Sequence, residues 1–309
     1  MEPELQEVIS LQRGRPEGFG RPRHNPLPKD SSLTDTLTNA HPLDREIDRR
    51  EAVLRDVIRS AGALALSSYR SRRPGDFTLK GQQDFLTEAD GLVEAHIRGE
   101  LAKALPEDGF FGEESGGAVD ALALWVADPI DGTANFARGV DHFCVSMAFV
   151  RDGVTELGAT FNPVTDELYS ARRGRGAFKN GMRLSTATTP VLAQASVELG
   201  WSPRVGNAAH LETFGAILAT GASIRRGASG ALALAWVAEG RTDAYVEFHM
   251  NAWDCLAGLL MVREAGGRTG LFPASHAAIA AGGPIIAAAP AIAEALSAAV
   301  AMPLARPVA

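Results

Sequence analysis

The chain has 309 residues, enough for one large domain or two packed halves around a substantial core. A hydrophobic content of 46% with 22% charged residues is ordinary for a soluble globular protein. The net charge of −7 argues against a nucleic-acid-coating role, which calls for clustered Lys and Arg, but leaves a small phosphate ligand open because bound cations invert the local field.

The two cysteines, Cys144 and Cys255, have apolar or aromatic neighbours and form no CxxC pair, so buried free thiols in a reducing, cytoplasmic setting are expected. No run of 18 apolar residues occurs, so no transmembrane helix is expected, and the N-terminus lacks the apolar stretch of a secretory signal.

Residues 1–41 read as a disordered extension. They are rich in Pro, Gly, Arg and Ser/Thr, lack periodicity, and include RGRPEGFGRPR. Arg13, Arg15, Arg21, Arg23 and Lys29 give this tail a basic stretch suited to an acidic partner.

The folded part is expected from His41-Pro42-Leu43-Asp44 onward. Leu54, Val57, Ile58, Ala61, Leu64 and Ala65 recur at helical spacing and predict an amphipathic helix. A second helix is predicted after Asp84, with Ala89, Val93, Ile97, Leu101 and Leu105 four apart, ending at Pro106. Ala121 to Ala127 is a continuous apolar run, the pattern of a buried strand. Two more strands, Cys144 to Val150 and Thr155 to Phe161, flank Arg151-Asp152-Gly153, a hairpin signal. Glu167 to Ser170 and Gly174 to Gly181 extend this into an antiparallel meander.

Beyond about residue 186 helices and strands alternate. Helices are predicted at 210–219 and 231–238, a strand at 243–248, and a helix from about 252 to 265 ending at Gly266-Gly267. A strand at 284–288 and a closing helix at 291–300, preceded by Pro290, complete the pattern. The division is therefore an N-terminal α+β half, residues 42–185, and a C-terminal α/β half, residues 186–309, without an internal repeat.

The chemistry centres on Trp125-Val-Ala-Asp128-Pro-Ile-Asp131-Gly-Thr133-Ala-Asn135-Phe136, an apolar strand running into two aspartates. Two carboxylates leaving one strand end can share a hard divalent cation such as Mg²⁺. The Ile130 carbonyl would face the same space, Gly132 lets backbone approach a phosphate, and a helix starting at Thr133 would offer N–H groups to an anion. Alone, Asp-Gly-Thr also fits a simple Asx turn. Upstream lie Gly112-Glu113-Glu114-Ser115, equally compatible with a solvated loop, and Asp84-Phe-Leu-Thr87-Glu88-Ala89-Asp90, read as opening the second helix. Downstream is Trp253-Asp254. Both Asp90 and Asp254 also suit helix capping.

Together these elements, with Lys80, resemble the inositol monophosphatase family over roughly residues 44 to 300; ARRGRGAFKNG and REAGGRTG match in kind. The resemblance implies a layered α-β-α-β-α fold, usually dimeric, and a lithium-sensitive phosphomonoesterase using two to three Mg²⁺ ions. It implies that Glu113, Asp128 and the Ile130 carbonyl hold one ion. Asp128, Asp131 and Asp254 would hold a second, and a weaker third would lie near Glu113. Gly132 and Thr133 would bind phosphate, while Asp90 paired with Thr133 would help activate water. Glu247 would read substrate hydroxyls, with an exposed strand-end carboxylate as the alternative.

His249, Met250 and Asn251, read as a loop, depart from the animal enzymes' pattern. The expected substrate is a small phosphorylated polyol or sugar such as myo-inositol 1-phosphate. Histidinol phosphate, fructose 1,6-bisphosphate and 3′-phosphoadenosine 5′-phosphate are alternatives on the same scaffold, and a regulatory protein with a basic tail is a non-enzymatic one. No nucleic-acid or membrane partner is expected.

Overall fold

Apolar residues three and four apart build the first helix, α1 (Pro42–Ser71), which buries Leu54, Val57, Ile58, Ala61 and Ala65. The structure, a computed structural model, describes residues 42–73, 75–81, 84–272 and 276–306; the extension expected at 1–41 lies outside the described residues. A hairpin of β1 (Thr78–Gly81) and β2 (Asp84–Leu86) precedes α2 (Glu88–Ala104). Here the helix expected to open at Asp84 starts four residues later. Thr87 and Asp90 close a reciprocal capping box, and Asp84–Leu86 stays extended to pair with β1.

A seven-stranded sheet follows, its strands in chain order: β3 (Gly109–Gly112), β4 (Ala123–Asp131), β5 (Cys144–Arg151), β6 (Val154–Asn162), β7 (Glu167–Arg172), β8 (Gly176–Lys179) and β9 (Met182–Arg183). Only β3 and β4 run parallel. A short helix, α3 (Thr133–Arg138), leaves the end of β4. The predicted hairpin turn joins β5 to β6, with both Asp152 and Gly153 at positive φ, as a two-residue turn between twisted strands requires.

The second sheet is mixed. Strands β10 (Ser196–Leu199), β11 (Ser223–Arg225), β12 (Ala244–Met250), β13 (Arg268–Thr269) and β14 (Gly283–Ala288) lie in the order β11-β10-β12-β14-β13. The first three are parallel, and β14 is antiparallel to both its neighbours. Helices α4 (Asn207–Ala219), α5 (Gly230–Glu239), α6 (Ala252–Glu264), α7 (His276–Ala281) and α8 (Pro290–Val300) connect them.

Five layers result. Helices α1 and α2 cover one face of the large sheet, with Ile58, Val93 and Ile97 against Trp125, Val145 and Met147. Its other face packs Leu124, Val126 and Ala148 on α5 and α6, which also rest on Tyr245 and Ile285 of the small sheet. Helices α4 and α8 close the far side through Ile217, Ile292 and Leu296. Strand β4 is thus buried on both faces, which explains its unbroken apolar run.

Candidate active site

Strand β4 delivers the two aspartates to the same place by breaking its own regularity. In an even strand, residues three apart face opposite sides. The pairing with β5 shifts between Asp128 and Asp131, an irregularity at Pro129, which has no N–H to give the ladder, and it reorients Asp131. Oxygens of Asp128, Asp131 and Asp254 then lie within 4.8 Å of one another. Asp254 comes from the first turn of α6, where it is also the capping partner of Asn251.

Hydrogen bonds orient each carboxylate. The Ile130 N–H donates to Asp128 Oδ1 at 2.8 Å. Asp131 Oδ2 accepts the Ser229 hydroxyl at 2.6 Å and the Ala231 N–H at 2.8 Å, with the Cys144 thiol at 3.7 Å. Burial pushes Asp128 well above the usual carboxylate range, helped by the charges of Glu113, Asp131 and Asp254. Asp254 is raised to about 7, again by burial first and Asp131 second. Burial likewise raises Asp131, against the hydrogen bonds from Ser229 and Ala231. Crowded carboxylates held above their usual range by burial suit exchange of protons for a cation, and an all-oxygen donor set fits Mg²⁺.

Glu113 enters from the loop after β3. Its side chain is 22% exposed and lies 3.4 Å from the Lys80 ammonium, which also meets Glu114 at 2.7 Å. Burial and the neighbouring Asp254 raise Glu113 to about 8, with Lys80 opposing.

Asp90 is fully buried at the start of α2 and links the helix cap to the site. Its Oδ2 accepts the Thr87 N–H and hydroxyl, while Oδ1 lies 3.2 Å from the Thr133 hydroxyl. That hydroxyl also lies 2.9 Å from the Ile130 carbonyl oxygen, so the carbonyl expected at a metal engages Thr133 here. Burial raises Asp90 to about 6 against the Thr87 hydrogen bonds. Gly132 has φ +94°, and an added Cβ would meet the His142 carbonyl oxygen at 3.0 Å, so this corner demands glycine.

A cleft of about 680 Å³ is lined by Glu113, Asp131, Thr133, Asp254, Glu247 and Arg226. Glu247 is buried on β12, raised to about 7 mainly by that burial, and takes the Tyr245 hydroxyl as its donor. It is therefore not an exposed strand end. The segment read as a loop after it is largely strand: His249 and Met250 finish β12 and Asn251 caps α6. His249 is half-buried: its Nε2 lies 3.0 Å from the Ala281 carbonyl oxygen and its Nδ1 is buried without a partner.

Ser229 was not singled out by sequence reasoning, and Asn135, though part of the motif after β4, was given no role. Asn135 Nδ2 donates to the carbonyls of His142 and Gly227, both at 2.8 Å, tying the turn after β4 to the loop that carries Ser229. The small-residue stretch Gly227–Gly230, which lets α5 start beside Asp131, was the available signal.

The five-layer fold places a carboxylate cluster able to hold a metal ion at a polar cleft. The sequence profile of the inositol monophosphatase family matches residues 46–302, and the chain belongs to this family. It is 44% identical over 195 residues to an inositol-1-monophosphatase of Rhizobium meliloti, covering 62% of this chain and 73% of the relative. To the Nus factor SuhB of Xylella fastidiosa it is 40% identical, over 68% of this chain and 77% of that one. Among solved structures, the extragenic suppressor protein suhB of Bartonella henselae superposes with a TM-score of 0.75 at 34% identity, covering 81% of this chain and 97% of that one. An IMPase of Thermotoga maritima gives 0.73 at 29% identity, over 82% and 96%. Family membership supports a phosphomonoesterase, and the family is generally Mg²⁺-dependent.

Proposed function

We propose that the chain hydrolyses a small polyol or sugar monophosphate, such as myo-inositol 1-phosphate, with Mg²⁺ held by Asp128, Asp131, Asp254 and Glu113. The observation that carries this reading is the convergence of three carboxylates within 4.8 Å beside the Asp90–Thr133 pair. When bound, Mg²⁺ supplies charge neutralisation for the phosphoryl oxygens and lowers the pKa of water in its coordination shell. The chain's own residues do the rest. Gly132 and Thr133 present backbone to the phosphate. Asp90, poised near 6, takes up the proton of the attacking water through the Thr133 hydroxyl. The new oxygen–phosphorus bond forms as the ester bond to the polyol breaks, and the leaving alkoxide oxygen takes a proton from solvent water.

Glu247 faces the same cleft and accepts hydroxyl donors of the polyol, with Arg226 near it. The relatives named Nus factor leave the substrate a separate question from the chemistry. Lithium inhibition, a cytoplasmic location and a homodimer belong to the same reading; a LiCl titration, fractionation and light scattering check them in turn.

The deciding experiment measures phosphate release from myo-inositol 1-phosphate, histidinol phosphate, fructose 1,6-bisphosphate and 3′-phosphoadenosine 5′-phosphate. Each is run with Mg²⁺, with EDTA, and with Asp128→Asn. Strong Mg²⁺-dependent turnover of the inositol substrate, lost in the variant, is expected. Turnover that persists in EDTA would overturn the metal chemistry, and preference for another member of the panel would replace the substrate.

A further inference from the structure

The loop that brings Glu113 to the cleft is gripped from behind by a residue that lines no part of it. Glu94 sits in the second turn of α2, only 3% exposed. Its Oε2 accepts the Glu114 N–H at 2.8 Å, and its Oε1 accepts the Ser115 N–H at 2.8 Å and the Ser115 hydroxyl. The contact is close enough that a Cβ on Gly112 would lie 2.4 Å from Glu94 Oε2, so this glycine is part of the same seat.

Burying a carboxylate is costly unless donors replace the lost water, and here three do. An apolar side chain of similar size would fill the space but could not aim two consecutive N–H groups. Those two groups converge on a single anion, which fixes the chain direction immediately after Glu113. The Glu113 N–H is fixed as well, donating to the Ala127 carbonyl of β4 at 3.2 Å. Glu113 is thus held from both sides, by the strand that carries Asp128 and by Glu94.

The stripe along α2 gives this grip its reach. Asp90, Glu94 and Arg98 stand four residues apart and share one helix face. Asp90 holds Thr87 and Thr133; Glu94 holds the 114–115 backbone; Arg98 reaches the Ser115 hydroxyl and the Gly116 carbonyl. One helix therefore sets the distance between the proton-accepting pair and Glu113.

We propose that Glu94 is a positioning residue of the metal centre, holding Glu113 at the cation while touching neither cation nor substrate. This rests on the metal-dependent reading above. The test uses Mn²⁺ as the probe, with free ion counted by its EPR signal, on full-length wild type, Glu94→Gln and Glu94→Ala, alongside Mg²⁺-dependent initial rates. In Glu94→Ala, Mn²⁺ affinity is expected to fall about 10- to 100-fold. Glu94→Gln, which keeps the shape and one acceptor oxygen, should fall between it and wild type. At saturating Mg²⁺ most of kcat should return, with KM for substrate within about twofold of wild type. If Glu94→Ala does not fold by circular dichroism, the Gln variant decides. Wild-type Mn²⁺ affinity in the folded variants would overturn the proposal while leaving the metal chemistry intact. A wild-type protein that binds no Mn²⁺ would overturn that chemistry and the proposal with it.

Discussion

At Asp131, the Ser229 hydroxyl, the Ala231 N–H and the Cys144 thiol all gather on one carboxylate oxygen. Such partners fix the direction of a ligand, and their loss typically costs about 10- to 100-fold in metal affinity or activity. Ser229→Ala should accordingly raise the Mg²⁺ concentration for half-maximal activity about tenfold, read from rates against Mg²⁺ at saturating substrate; an unchanged midpoint would show that Ser229 does not orient Asp131. Asp90 carries the other residue-scale prediction. Its carboxyl is raised to about 6 by burial, and only the ionised form accepts a proton, so kcat should climb as pH rises through about 6. Asp90→Asn should lose about 100-fold or more in kcat and this acid limb with it. A limb that survives in the variant belongs to another group.

Helix α6 carries Asp254 at its first turn and lies between the two sheets, so its seating determines where the third aspartate falls. Gly258 permits that seating: an added Cβ would come within 2.4 Å of the Leu234 Cβ on α5. Alanine is worth about 1 kcal/mol over glycine in a helix interior, whereas overpacking a core costs about 1–3 kcal/mol. The obstacle is a side-chain stem with no freedom to swing, so the clash should win, and Gly258→Ala is expected to lower the urea midpoint. A raised midpoint would mean that α5 shifts freely. The sequence exposed α6 through its apolar residues and its Gly266-Gly267 end, as it exposed β4 through a run apolar on both faces. Strands β10, β11 and β13 were not visible, because two to four residues give too little alternation to register. Asp84 was misplaced because acidic residues before an apolar stripe look like a helix start, and only the Thr87–Asp90 cap shows where the helix begins. Asp254 completes the cap of α6 and also joins the carboxylate cluster, and Asp90 completes the cap of α2 while lying 3.2 Å from the Thr133 hydroxyl, so capping does not exclude a place at the site. The bulge at Pro129 and the partners Ser229 and Glu94 depend on contacts across elements, which spacing along one chain does not carry.

For the whole molecule, the cluster ties folding to protons and, on the proposed reading, to metal. Burial raises Glu113 to about 8, Asp254 and Glu247 to about 7 and Asp90 to about 6, and it raises Asp128 and Asp131 as well. The sign follows from linkage: a carboxyl with a higher pKa folded than unfolded binds its proton more tightly in the native state. Its contribution is present at low pH and is lost as pH climbs from the ordinary carboxylate range to the folded value. Because these groups interact, their protons leave in shared steps rather than one residue at a time. Glu156 and Glu167 have the opposite sign: burial, the largest single effect, is outweighed by Arg173 with Arg151 at Glu156 and by Arg241 with Lys179 at Glu167, so both are lowered and their stabilisation is lost only toward acid. The metal-free protein should therefore lose thermal stability between about pH 5 and about pH 8, the window these raised values define. On the metal-dependent reading proposed above, Mg²⁺ would replace the protons at the same oxygens and bind only the assembled cluster, so its stabilising increment should grow over that window and flatten the decline. Melting followed by circular dichroism from pH 5 to pH 8, in EDTA and in excess Mg²⁺, reads both slopes. A metal-free Tm that rises with pH would mean the unfolded chain binds the extra protons, reversing the sign assigned to the cluster. Parallel curves with and without Mg²⁺ would instead show that the cation does not compete with protons for these carboxylates.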